Sequence, residues 1–149
     1  MKYLYTTADY IAAIEREQAK RATTYPKIIK KMEKNGADES EIKKVFNAQI
    51  HQSAILSFGL DTIRGIYSPE TTTYYSIHHE FIREYKMRRK CYPRFIYFQR
   101  MTQETADYEL AVWRELTIYF AETFPGDAQI ALDALETKRR KRNAESNPG

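Results

Sequence analysis

The side chains best suited to binding an anion gather in one stretch: between positions 86 and 100, Lys86, Arg88, Arg89, Lys90, Arg94 and Arg100 interleave with Tyr92, Phe95, Tyr97 and Phe98. Cations neutralise phosphates and aromatic faces accept stacked bases, so this mixture suits a nucleic-acid or nucleotide site. It equally suits a solvated helix, with Phe95 and Phe98 in the core and the charges spread over the outer faces. A helix beginning at Pro93 would add backbone donors aimed at an anion. A second basic run, Lys138, Arg139, Arg140, Lys141 and Arg142, lies near the end of the chain. It reads either as a flexible anion-binding arm or as the cationic end of a helix.

Other reactive residue types form no constellation. His78 and His79 are adjacent, and neighbouring helical residues point about 100° apart, so their rings do not converge on one ion; His51 has no ligand-spaced partner. Cys91 is the only cysteine, which excludes an intramolecular disulfide and fits a reducing compartment. There is no Gly-rich phosphate loop or nucleophile elbow, and no pair of carboxylates is singled out for acid/base work. No catalytic residue, metal site or cofactor is assigned, and a non-enzymatic role is expected.

The elements that position the basic run come as a repeat. The segment REQAKRATTYPKII, residues 16–29, aligns without gaps on REYKMRRKCYPRFI, residues 83–96. Arg16/Arg83, Glu17/Glu84, Arg21/Arg88, Tyr25/Tyr92, Pro26/Pro93 and Ile29/Ile96 are identical, and Lys27/Arg94 are similar. Each copy passes through a polar turn into a long amphipathic segment. Asp38, with Glu41 three residues on, is an N-cap candidate after an Asn35-Gly36 break, and Thr102 takes the same role in the second copy. Ala106, Leu110, Trp113, Leu116, Phe120 and Phe124 then recur at helical spacing, matched in the first copy by Ile42, Val45, Phe46, Ile50 and Ala54. Pro26 and Pro93 lack the amide an interior turn uses, so each is expected to kink a helix or to begin a new one.

The duplicated charges admit two explanations. Arg16/Glu17 and Arg83/Glu84 are candidate ion pairs, with Tyr25 and Tyr92 pinning each bend. Alternatively, Arg21 and Arg88 approach each other to form a pocket for a small anion or the phosphates of a nucleotide. The residues carrying the binding hypothesis are Arg21, Tyr25, Lys27, Arg88, Arg89, Tyr92 and Arg94.

The chain of 149 residues, 42% hydrophobic and 30% charged, suits one all-α domain, since the turn signals of a strand-rich fold are missing. The expected order is a repeat over about 8–62, a linker at 65–73, a second repeat over about 74–124 and a helix at 127–142 within a single helical domain 1–142. A disordered tail is expected at 143–149. The fold class is thus a helical bundle of two diverged, kinked helical hairpins plus a C-terminal helix. Formal charge is +4, from 24 basic and 20 acidic residues, so the local runs matter more to an anionic partner than the total. No run approaches the roughly 20 apolar residues that span a bilayer, and the N-terminus lacks a secretory pattern; a cytoplasmic, membrane-free protein is expected.

The twin segments EREQAKRATTYPKIIKKMEKNGADESEIKKVF and IREYKMRRKCYPRFIYFQRMTQETADYELAV resemble a pattern of many small uncharacterised phage and prophage proteins: an Arg-rich helix, an aromatic-Pro step, a polar loop and a capped second helix. The resemblance covers about half of the chain. The first copy departs from it, with Ala22 where the second has Arg89. It implies a mobile-element or viral origin, hence the host-cell cytoplasm, and supplies no activity. The function expected is an accessory protein that binds a nucleic acid or nucleotide, including sequestration of a signalling nucleotide in counter-defence. The alternative is an interaction module that blocks a host or viral protein. The twelve tyrosines and seven phenylalanines exceed the evident needs of the core, so self-association, as a dimer, is also expected.

Overall fold

A computed structural model describes residues 3–69 and 76–146. Five α-helices and no strand occur among the described residues: α1 (Thr7–Lys34), α2 (Glu39–Ile63), α3 (Ile77–Tyr97), α4 (Gln103–Thr123) and α5 (Pro125–Ser146). The all-α reading holds. The chain divides into two compact units, Met1–Tyr67 and Ser68–Gly149. Part of the stretch read as a linker, 70–73, lies outside the described residues, as do the last three residues of the expected tail.

In the first unit α1 and α2 pair as a hairpin. Thr6 opens α1 with a full capping box: its hydroxyl accepts from the Asp9 amide at 3.3 Å while its own amide donates to the Asp9 carboxylate at 2.8 Å. That amide and hydroxyl lower the carboxyl's pKa. Asn35 closes the helix and Gly36, at φ +78°, takes the left-handed turn that a Cβ would oppose. Asp38 then caps α2 by accepting from the Glu41 amide at 2.8 Å. The second unit repeats the hairpin with α3 and α4, and α5 packs against both. Thr102 caps α4, accepting from the Thr105 amide at 3.1 Å.

The buried positions of the two hairpins share one register. Moving the buried residues of α1 (Tyr10, Ala13, Ile14, Glu17 and Arg21) by the offset that puts Arg16 on Arg83 lands them on Ile77, Glu80, Phe81, Glu84 and Arg88, every one buried in α3. Aligning the caps of α2 and α4, Asp38 on Thr102, puts buried Gln49 on Trp113 and Leu56 on Phe120. The core of the second unit is aromatic: the Phe81 ring meets Trp113 edge-on at 6.1 Å and Phe120 at 5.1 Å.

Four expectations are refined here. Of the two outcomes expected at the prolines, a new helix does not occur: α1 runs through Pro26 and α3 through Pro93. Around Pro26, Gln49 of α2 donates to the Tyr25 carbonyl at 3.4 Å and Thr24 donates to the Lys20 carbonyl at 2.8 Å, so neighbouring bonds hold the turn that the proline weakens. The stripe of α2 is also displaced. Phe46, Ile50 and Ala54 are exposed, whereas Gln49, Ile55, Leu56 and Leu60 are buried, because two glutamines interrupt the true inward face. The last helix begins at Pro125, earlier than Asp127, with proline at the first position where its missing amide costs nothing. It also continues through Ser146, so the described part of the tail is helical.

Candidate functional site

The repeated arginines lie inside their hairpins. In the first unit Arg21 Nε donates to Glu17 Oε2 at 3.0 Å and Nη1 donates to the Gln52 carbonyl at 3.0 Å, tying α1 to α2. In the second, Arg88 Nη1 donates to Glu84 Oε2 and to the Glu84 carbonyl. The Arg88 guanidinium lies 4.1 Å from the centroid of the Trp113 ring. Arg83 adds to this network, donating to Glu80 Oε1 at 2.7 Å and to Glu84 Oε1 at 2.9 Å. The pairs Glu17–Arg21 and Glu84–Arg88, one helical turn apart, recur in both copies, and the expected Arg83–Glu84 pair is present beside the second of them. All four charged groups of the recurring pairs are buried, where mutual neutralisation offsets their loss of water.

The tyrosines of the repeat are likewise structural. Tyr25 donates its hydroxyl to Gln52 Oε1 at 3.1 Å, and Tyr92 is buried with its ring 6.3 Å from that of Phe95. Of the residues assigned to binding from sequence, only Lys27 in α1 and Arg89 and Arg94 in α3 are exposed. Arg89 sits 5.8 Å over the Tyr85 ring.

An exposed cationic face nevertheless forms in the second unit, from α3 and α5. Lys86 and Lys90 are exposed on α3, and Lys138 on α5 lies near enough for its charge, with those of Arg83 and Lys86, to act on the His79 imidazole. Burial is the main cause of the downward shift at His79; Glu80 opposes it and the three cations reinforce it. At the end of α3, Tyr97 and Phe98 are 80% and 59% exposed, their rings edge-to-face at 5.1 Å. Phe98 thus stands on the surface instead of in the core. Gln99 follows at φ +59°, a left-handed residue that ends the helix.

What holds α5 beside α3 escaped sequence reasoning. Asp127, buried, accepts from the Ile77 amide at 3.0 Å and the His78 amide at 2.8 Å, and Ser76 donates its hydroxyl to Asp127 Oδ2 at 2.9 Å. One carboxylate of α5 therefore satisfies two of the open amides of the first turn of α3, and the Ser76 hydroxyl accepts from a third, that of His79. His78 is buried at this junction with no hydrogen bond at Nδ1, and burial lowers its pKa more than Asp127 raises it.

The first unit carries a different feature, an open groove of about 770 Å³ between α1 and α2, lined by residues that include Arg21 and Tyr25 of the expected binding set and Pro26, Phe46, Ile50 and Leu56. Phe46 and Ile50 are 51% and 54% exposed beside it. Among the described residues no group of three His, Cys, Asp or Glu side chains is placed to hold a metal ion, and no helix is long and apolar enough to cross a membrane. Cys91 is a half-buried free thiol. No protein-family model, curated protein or solved structure matches the chain.

Proposed function

We propose that the protein is a non-enzymatic nucleic-acid-binding protein whose contact surface is the cationic face of the second unit. Lys86, Arg89, Lys90 and Arg94 of α3 and Lys138 of α5 supply phosphate contacts, and Tyr97 and Phe98 supply stacking faces. The observation that carries this reading is the exposure of these cations and aromatics on neighbouring turns, while the buried arginines are engaged by glutamates. Arg21 and Arg88, buried and paired with glutamates, are left out of this contact surface, and Arg21 and Tyr25 line the groove of the first unit instead. An extended open surface suits a polymer. The resemblance to phage and prophage proteins adds a mobile-element setting to the proposal.

Fluorescence anisotropy with labelled 20-mer oligonucleotides at 50 mM salt tests it. Binding is expected, weakening about tenfold in the Arg89→Ala, Arg94→Ala double variant while helicity is kept. Absence of binding at that salt, or indifference to both substitutions, refutes it.

A second reading rests on the groove of the first unit. Its exposed Phe46 and Ile50 favour a protein partner, a second copy of the chain included. Phe46→Ser with Ile50→Ser is then expected to abolish complex formation in sedimentation runs and to leave oligonucleotide binding unchanged.

A further inference from the structure

Residues 137–146 of α5 are exposed without exception, across nearly three helical turns. A helix lying against protein buries one side at every turn, so this length, about 15 Å at 1.5 Å per residue, stands clear of the rest of the second unit beyond Lys138, whose charge still reaches His79. Within it Lys138, Arg139, Arg140, Lys141 and Arg142 occupy every direction around the axis. Lys138, Lys141 and Arg142 share one side by their spacing, and Arg139 and Arg140 point to the other. Glu136 meets only the second set, accepting from Arg139 at 2.9 Å and from Arg140 at 3.3 Å. Five successive cations repel one another, and a short isolated helix is marginal in water, so an anionic environment on all sides stabilises this segment.

Resting on the reading of the second unit as a nucleic-acid binder, we infer that this end of α5 is a groove-inserting helix for double-stranded DNA. A flat or single-stranded polyanion meets one side of a helix and leaves the opposite cations in water. The major groove of B-form DNA, about 12 Å wide, accepts a helix of about 10–12 Å diameter and lines both of its flanks with phosphates. The contacts are to the backbone, so binding depends on duplex form and salt more than on sequence.

The test compares a 20-base-pair duplex with either of its single strands, measuring affinity between 50 and 200 mM salt for the full chain and two variants. One variant replaces Lys138, Lys141 and Arg142 by alanine, the other Arg139 and Arg140. All five positions are exposed, and circular dichroism confirms that each variant is folded. The duplex is expected to bind at least tenfold more tightly than the single strand. At about 0.9 of salt slope per phosphate contact, the triple variant is expected to lose about 2.7 and the double about 1.8. Preference for the single strand, or loss of slope in one variant only, overturns the inserted helix and leaves the cationic face of α3 intact as a binder. No binding of either oligonucleotide at 50 mM salt overturns both.

Discussion

Replacing Arg88 by alanine removes the partner of a buried carboxylate. Glu84 keeps the contact from Arg83 Nη2 at 2.9 Å but loses the paired charge on its other oxygen. Breaking a buried ion pair from one side costs about 3–5 kcal/mol. The residual Arg83 contact favours the lower part of that range, while loss of the guanidinium stacked on Trp113 adds about 1–2 kcal/mol. A net loss of about 4 kcal/mol is expected, a large share of the stability of a small domain. Trp113 is the only tryptophan, lies beneath the substituted side chain and reports on the second unit, so urea unfolding followed by its emission is the direct assay. With a slope of about 1–1.5 kcal/mol per molar, the midpoint should fall by roughly 3 M or the variant should be unfolded at the outset. Removing both charges, as Glu84→Leu with Arg88→Met, leaves no unpaired carboxylate at this pair and should cost less than Arg88→Ala alone. A loss below about 1 kcal/mol in Arg88→Ala, or a double variant worse than the single, would refute the assignment of these residues to the core.

Three further outcomes are expected. His78 and His79 have pKa values below the usual 6.5, chiefly through burial, so the unfolded chain takes up protons first. Their contribution is complete above pH 6.5 and is lost as pH falls toward and through the lower folded values; urea midpoints at pH 7.5 and 5.5 should show this decline, and His78→Gln with His79→Gln should flatten it. Pro26→Ala restores an amide inside a continuous helix and should stabilise by about 1–2 kcal/mol after the proline's restriction of the unfolded chain is discounted; a lower melting temperature would count against an uninterrupted α1. Asp127→Ala leaves the first amides of α3 without their buried acceptor and should cost about 2 kcal/mol or more in thermal melts, whereas the exposed Asp133→Ala should change little.

The helical class was legible because its punctuation is local: Asp38 and Thr102 declare helix starts, and Gly36 a left-handed stop, whatever the rest of the chain does. The repeat was legible for the same reason. Its meaning was not, since Arg21 and Arg88 look identical whether they face a ligand or a glutamate one turn back, and only burial separates the two. The prolines left two outcomes open, a kink or a new helix, and local geometry alone does not say that the helices continue through them. Gln49 and Gln52 disguised the inward face of α2, which made Phe46 and Ile50 look like core and hid the groove. The Asp127 contact joins positions about fifty residues apart, which no short pattern announces.

That contact sets an order of events during vectorial synthesis. The start of α3 leaves the ribosome well before Asp127, and until that carboxylate arrives the amides of Ile77 and His78 have only water as their partner. The N-terminal half of the chain can form its hairpin while translation continues, but the C-terminal half waits for its last segment. A nascent chain stalled near position 120 would therefore display a fraying α3 to chaperones and proteases, and a strand break in the short joint before α5 would return the finished protein to that condition.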